Sequence, residues 1–237
     1  MTEKLAEWRR VIGSDEFFYV VADNYDEHIE LAIPFYRMMH DEMVRCVTGR
    51  QDGLRFLDLG AGTGKTAAVL LINVGGSTAR LVELFGEMLK HARTRLAAFG
   101  NRVEYVQGDF MDVPLGDGYD ICVSSLAIHH QNAAGKQRLF NRVFEALGPH
   151  GKFLMIDWTK FSSSSVQELA AQTAEQHASE HISDAQALHD WCEHWRTKNI
   201  PDTVEDLCLW LKAAGFRNAE CVMRYYGMAL ICAEKAP

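Results

Sequence analysis

Apolar residues recur along this chain with two different periods. Short continuous apolar runs at Phe56–Leu59, Ala79–Val82, 102–106, 118–125 and 151–157 read as strands buried on both faces. Helical spacing fills the intervals at 65–73, 87–99 and 136–147. Alternating strands and helices predict an α/β fold, a doubly wound and mostly parallel sheet. Two final runs, Arg217 to Tyr226 and Met228 to Ala233, meet at Gly227 and predict an antiparallel C-terminal hairpin. The helix before them, 203–214, has Thr203 or Asp202 as its cap and stops at Gly215.

Two helical stretches lie outside this alternation. Residues 2–47 break near Gly13-Ser14-Asp15 and again near Asp23-Asn24, and Pro34 is expected in a helix's first turn. Residues 162–198 form an insertion rich in alanine, glutamine and histidine, placed before the last helix. The expected organisation is therefore a lid at 1–50, a core at 51–161 and 202–237, and a cover at 162–201.

The first strand breaks into Gly60-Ala61-Gly62-Thr63-Gly64, and helix-forming sequence starts at Lys65. A strand, a glycine turn and a helix N-terminus let a ligand approach the backbone closely. The dinucleotide pattern would need glycine at Lys65, and the P-loop pattern would need it at Leu59. Acids then close two strands. Glu83 stands about 20 residues past the glycines, where an acid can accept from ribose hydroxyls, and Asp109 follows the third strand. Ser125 ends the fourth strand, followed by His129-His130, and Asp157-Trp158 ends the fifth. A histidine there is a candidate general base, with a helix cap or a carbonyl partner as the alternative.

Composition narrows the field. The 237 residues are 48% hydrophobic, enough for a large core, and no apolar run reaches the ~20 residues of a membrane span. Met1 to Arg10 is charged and amphipathic, unlike a signal peptide. A net charge of −8 without a basic block argues against a nucleic-acid partner. Six cysteines, none paired as C-x-x-C, suit reduced thiols in a cytoplasmic protein. His177 and His181 share a helix face, but the H-E-x-x-H pattern is missing, so a solvated face is expected rather than a metal. Trp191 and Trp195 are read as packing.

These segments together resemble class I S-adenosylmethionine (SAM) methyltransferases, from about Asp23 to Lys235. The resemblance implies that Asp58, Gly60, Gly62 and Gly64 lie under the methionine half of SAM. It places Glu83, with Leu84 and Met88 beside it, at the ribose, and Asp109 and Phe110 at the adenine. Phe85 departs from the family by standing where a capping serine or asparagine is usual. Ser125 joins the cofactor set; His129, His130 and Asp157 fall on the substrate side. Tyr19, Tyr25 and Tyr36 belong to an aromatic stretch expected to close over the sulfonium, with Tyr25 also a catalytic candidate. The two helical additions further resemble the branch that makes carboxy-SAM, whose insertion arginine holds a carboxylate. Arg196 is near that position but out of register.

Three functions follow. The first is methyl transfer from SAM to a small molecule. The second uses SAM as sole substrate, for example cyclisation to azetidine-2-carboxylate with release of methylthioadenosine. The third is SAM binding without catalysis. Expected partners are a small-molecule substrate, no nucleic acid and no membrane, with a homodimer as the candidate assembly.

Overall fold

The apolar runs form strands that send alternate side chains to opposite faces of one sheet. The computed structural model describes residues 25–47 and 52–236, apart from the side chains of 27 and 28. In chain order these residues form α1 (Tyr25–Ala32), α2 (Tyr36–Val47), β1 (Arg55–Leu59), α3 (Lys65–Asn73), β2 (Thr78–Glu83) and α4 (Gly86–Arg95). Then come β3 (Val103–Gln107), β4 (Tyr119–Ser125), α5 (Ala133–Ala146) and β5 (Leu147–Trp158). The insertion supplies α6 (Ser164–His181) and α7 (Ala185–Lys198), and the chain ends in α8 (Val204–Ala213), β6 (Arg217–Tyr225) and β7 (Met228–Glu234).

The sheet runs β3-β2-β1-β4-β5-β7-β6. Strands β1 to β5 are parallel, and β7 inserts antiparallel between β5 and β6. The predicted fold class therefore holds. Strand order reverses between β1 and β4, and such a switch point opens a crevice at the carboxyl ends of the strands.

Two apolar layers cover the two faces. Phe56, Ile121, Val123, Leu154 and Ile156 pack with residues of α2, α3 and α4. Their alternate neighbours Leu57, Leu59, Cys122, Phe153 and Met155 pack with α5 and α8. A third, smaller cluster joins Ala32 of α1 to Ala178 and Ile182 of the insertion, so N-terminal and inserted helices form one cover.

Some local expectations change. Pro34 lies in the turn before α2 rather than in its first turn, and Phe35 beside it takes a left-handed φ of 59°. The ring that fixes φ at proline suits that tight turn equally well. Thr203 is the cap of α8, accepting from the Asp206 amide at 3.0 Å. Asp202 is instead drawn to Lys136 at 2.6 Å, a buried ion pair that fixes the return from the insertion. Phe85 caps α4 without a side-chain bond, as its apolar ring requires. Trp195 packs on Trp158 with ring centroids 5.5 Å apart. None of the six cysteines is in a disulfide. Tyr19 and the rest of 1–24 lie outside the described residues.

Candidate active site

The glycine turn, the ends of β2 and β4, and the cover enclose a cavity of about 310 Å³ at the switch point. Its floor is set by Glu83. That side chain is buried and accepts from the Gly62 amide at 2.8 Å and the Phe85 amide at 2.9 Å. Burial pushes its carboxyl above the usual range, and the amides at Phe85, Gly62 and Leu84 oppose the shift. Each carboxylate oxygen carries two lone pairs, so both retain accepting capacity toward the cavity.

The glycines play two roles. A Cβ on Gly60 would come within 2.3 Å of Ala127 Cβ, so this residue must be glycine for the turn to pack. A Cβ on Gly62, at φ +54°, would meet nothing within 4 Å and would project into space that a ligand can use.

Opposite charges face each other at one end. Asp26 of α1 accepts from Thr63 Oγ1 at 2.7 Å and pairs with Arg95. Lys65 pairs with Glu30 and lies 4.9 Å over the Tyr36 ring. These contacts latch α1 across the glycine turn. At the far side, Asp109 accepts from the Met111 amide at 2.7 Å, beside Phe110.

The turn after β4 is held from below. Leu126 adopts a left-handed φ of 56°, a conformation that costs a branched residue energy and is stored where the surroundings enforce it. The Leu126 amide donates to the Ile156 carbonyl at 2.9 Å, and Asp157 fixes the turn that follows. Buried at the end of β5, it accepts from the amides of Ile128 and His129 at 3.0 Å each, from Trp158 at 2.8 Å, and from His129 Nδ1. The His129 ring therefore carries its proton on Nδ1 and its lone pair on Nε2. His130 packs on His129 with centroids 4.1 Å apart and faces the cavity. Burial, followed by the neighbouring His129, lowers His130 to about 3.

Of the residues singled out from the sequence, the cavity wall brings together Tyr25, Tyr36, Gly60, Gly62, Glu83, Leu84, Met88, Asp109, Phe110, Ser125 and His130. Asp58 and Gly64 sit behind the wall. His129 faces a smaller side chamber, and Asp157 lies beneath it. Asp58 is wholly buried with neither oxygen in a hydrogen bond; burial and then the Glu83 charge raise it to about 7. The Ala67 amide, outside hydrogen-bond geometry, opposes this least. Sequence reasoning missed Asp26, Lys65, His194 and Lys198, which also line the cavity. The Gly64-Lys65-Thr66 triplet was a signal for Lys65; nothing local marked the insertion residues. Arg196 is exposed and bonded to Glu175 at 2.9 Å, away from the site. Among the described residues no group of acids, histidines and cysteines could hold a metal ion, and no helix is long and apolar enough to cross a membrane.

Residues 56–151 match the family model described as a methyltransferase domain, and the fold is that of methyltransferases of solved structure. Over 231 residues the chain is 23% identical to the carboxy-S-adenosyl-L-methionine synthase of Nautilia profundicola, covering 93% of this chain and 94% of that one. Over 149 residues it is 30% identical to the ubiquinone/menaquinone biosynthesis C-methyltransferase UbiE of Serratia proteamaculans, covering 61% of this chain and 59% of that one. In structure it resembles human N-acetylserotonin methyltransferase in complex with SAM, with a TM-score of 0.60 and 16% identity over 98% of this chain and 66% of that one.

Proposed function

We propose that the protein binds SAM in the 310 Å³ cavity and passes its methyl group to a small acceptor. One observation carries the reading. A single cavity combines the opening at Gly62, the carboxylates of Glu83 and Asp109, and the side chains of Asp26 and Lys65. The outward lone pairs of Glu83 suit a ribose diol, and the second oxygen of Asp109 suits an exocyclic adenine amine. Asp26 and Lys65 match the ammonium and carboxylate of an amino acid. Hydrogen bonds to charged groups contribute about 1.5–3 kcal/mol each.

SAM supplies a methyl activated by sulfonium, whose C–S bond breaks with the electron pair left on sulfur. The residues of this chain hold, shield and deprotonate. Burial raises the Tyr25 and Tyr36 hydroxyls, so both rings remain uncharged phenols. The Tyr36 face is taken by Lys65, which leaves Tyr25 as the ring for a sulfonium. His129, oriented by Asp157, offers Nε2 as the base for the acceptor's proton. His130, lowered to about 3, is too weak a base for that role and serves as wall.

A second reading keeps SAM as the molecule being modified. Its support is the match to a carboxy-SAM synthase along nearly the full length of both chains. Against it stands Arg196, engaged by Glu175 outside the cavity. The test is product identity. Purified protein is incubated with SAM alone and then with SAM plus a small-molecule extract, and the released nucleoside is identified. S-adenosylhomocysteine (SAH) that depends on the extract supports methyl transfer. Methylthioadenosine or a modified SAM from SAM alone supports the second reading, and unchanged SAM in both leaves a binding protein.

A further inference from the structure

The main cavity continues into a side chamber of about 30 Å³, and Tyr25, Leu126, His130 and His194 line both. We propose that this chamber anchors the acceptor, and that it takes an uncharged hydrogen-bond-donating group, a hydroxyl or a neutral amine, carried on a flat apolar scaffold. The inference rests on the methyl-transfer reading and names the acceptor chemistry that reading leaves open.

Charge is the first argument. Among the described residues no lysine, arginine, aspartate or glutamate lines the chamber. Burial holds His130 at about 3 and His194 at about 4, so both imidazoles are uncharged near neutrality. Arg196 of the same helix turns outward to Glu175, and Lys198 lines the main cavity rather than the chamber, so among the described residues a carboxylate entering the chamber meets no lysine or arginine. Shape is the second argument. Trp158, Trp191 and Trp195 wall the chamber with flat apolar faces. A volume of about 30 Å³ is room for roughly two waters, so only the polar edge of a scaffold enters while its body stays in the larger cavity.

The third argument is an orphaned atom. The side-chain oxygen of Asn199 is buried on this wall and accepts no hydrogen bond among the described residues, whereas buried acceptors nearly always have a donor. Asn199 is not free to swing out to water. The next residue, Ile200, donates its amide to the His129 carbonyl at 2.8 Å, and Asp202 is tied to the buried Lys136 at 2.6 Å. A donor on the acceptor would satisfy this oxygen in place.

Phenol, anisole and benzoate are suitable probes, because they share a ring and differ in donor and charge. SAH affinity is measured first by calorimetry. Probe binding in its presence is then read by quenching of tryptophan fluorescence. Phenol should bind at least about tenfold more tightly than anisole, since a site built for a donor discriminates against its loss. Benzoate should bind more weakly than phenol. Asn199→Leu should bring phenol down to the level of anisole while SAH affinity stays within about twofold. Equal binding of phenol and anisole, tighter binding of benzoate, or a phenol preference that survives Asn199→Leu would overturn the proposal. Should that variant not fold, the isosteric Asn199→Asp takes its place; it should turn the preference from phenol to benzylamine, and indifference between them would overturn the proposal. Failure of SAH to bind would sink the methyl-transfer reading instead, and the phenol–anisole comparison without SAH would then decide the chamber by itself.

Discussion

At the end of the cavity formed by the glycine turn, Glu83 and Asp109, the wall is the open face of Gly62 and acids set at strand termini, each acid held by backbone amides. At the other end, His129 and His130 sit on a turn forced by a buried aspartate, and His194 and Asn199 come from an insertion about 65 residues further on. The first end is fixed by the sheet itself. Its geometry depends on strand register, where a single slip would move each side chain to the opposite face. The second end is assembled from parts that meet through Asp157, the Ile200–His129 bond, the Lys136–Asp202 pair and the Trp158–Trp195 packing. The lesson is that one pocket can combine a rigid, general half with a half that is free to vary with the acceptor.

Breaking the first half should have the largest effect. Gly62→Val places a branched side chain in the ligand space at a left-handed φ, so SAM binding should fall below detection by calorimetry. Gly60→Ala should differ in kind. Its Cβ meets Ala127 at 2.3 Å, so the melting temperature should drop first. If both substitutions affect only stability, the Gly62 opening is not a ligand site.

His129→Gln tests the other half. In the nucleoside-release assay turnover should fall about 10²–10⁴-fold, the range for loss of a general base. SAH affinity should stay within about threefold, because His129 does not line the main cavity. Equal turnover would remove His129 from the chemistry. Next in size, Glu83→Ala should weaken SAM binding at least about tenfold, consistent with loss of one charged acceptor. A folded variant with unchanged affinity would detach Glu83 from the ribose.

The two ends should also respond oppositely to pH. Asp58 rises from 3.8 to about 7, so in that window the native chain holds a proton that the unfolded chain has released. Stability from this group therefore falls as pH climbs toward 7 and levels off above it. His130 behaves in reverse. The unfolded chain takes a proton below about 6.5 that the native chain refuses until about 3, so stability is lost as pH falls through that range. Melting curves should show a smaller decline from pH 5 to 7 in Asp58→Asn, and a smaller decline from pH 6.5 to 4 in His130→Gln. Slopes identical to the parent protein would contradict the assignment. The smallest effect is expected for Arg196→Ala. Its pair with Glu175 is exposed and screened by solvent, and activity should stay within about twofold if no carboxylate is held there. A large loss of activity would revive the reading in which SAM is itself modified.

Much of the first half was legible in the chain. The alternation of apolar runs and helices, three glycines on alternate positions, and acids at strand ends are local patterns, because strand period and turn chemistry act over a few residues. Those patterns led to the sheet, the hairpin, Glu83 and Asp109. Thr203 and Asp202 were equal candidates for one cap until the buried Lys136 drew Asp202 away. Asp58 looked like a ligand-facing acid, yet its place in β1 turns it under the wall, where water is excluded and no partner compensates. His129 and His130 were interchangeable as candidates in sequence. Only tertiary contacts separated them, through Asp157 bonding one ring and burial disarming the other. Asn199 carried no signal at all, because an unsatisfied oxygen is a property of what surrounds it, and those surroundings come from residues distant in sequence.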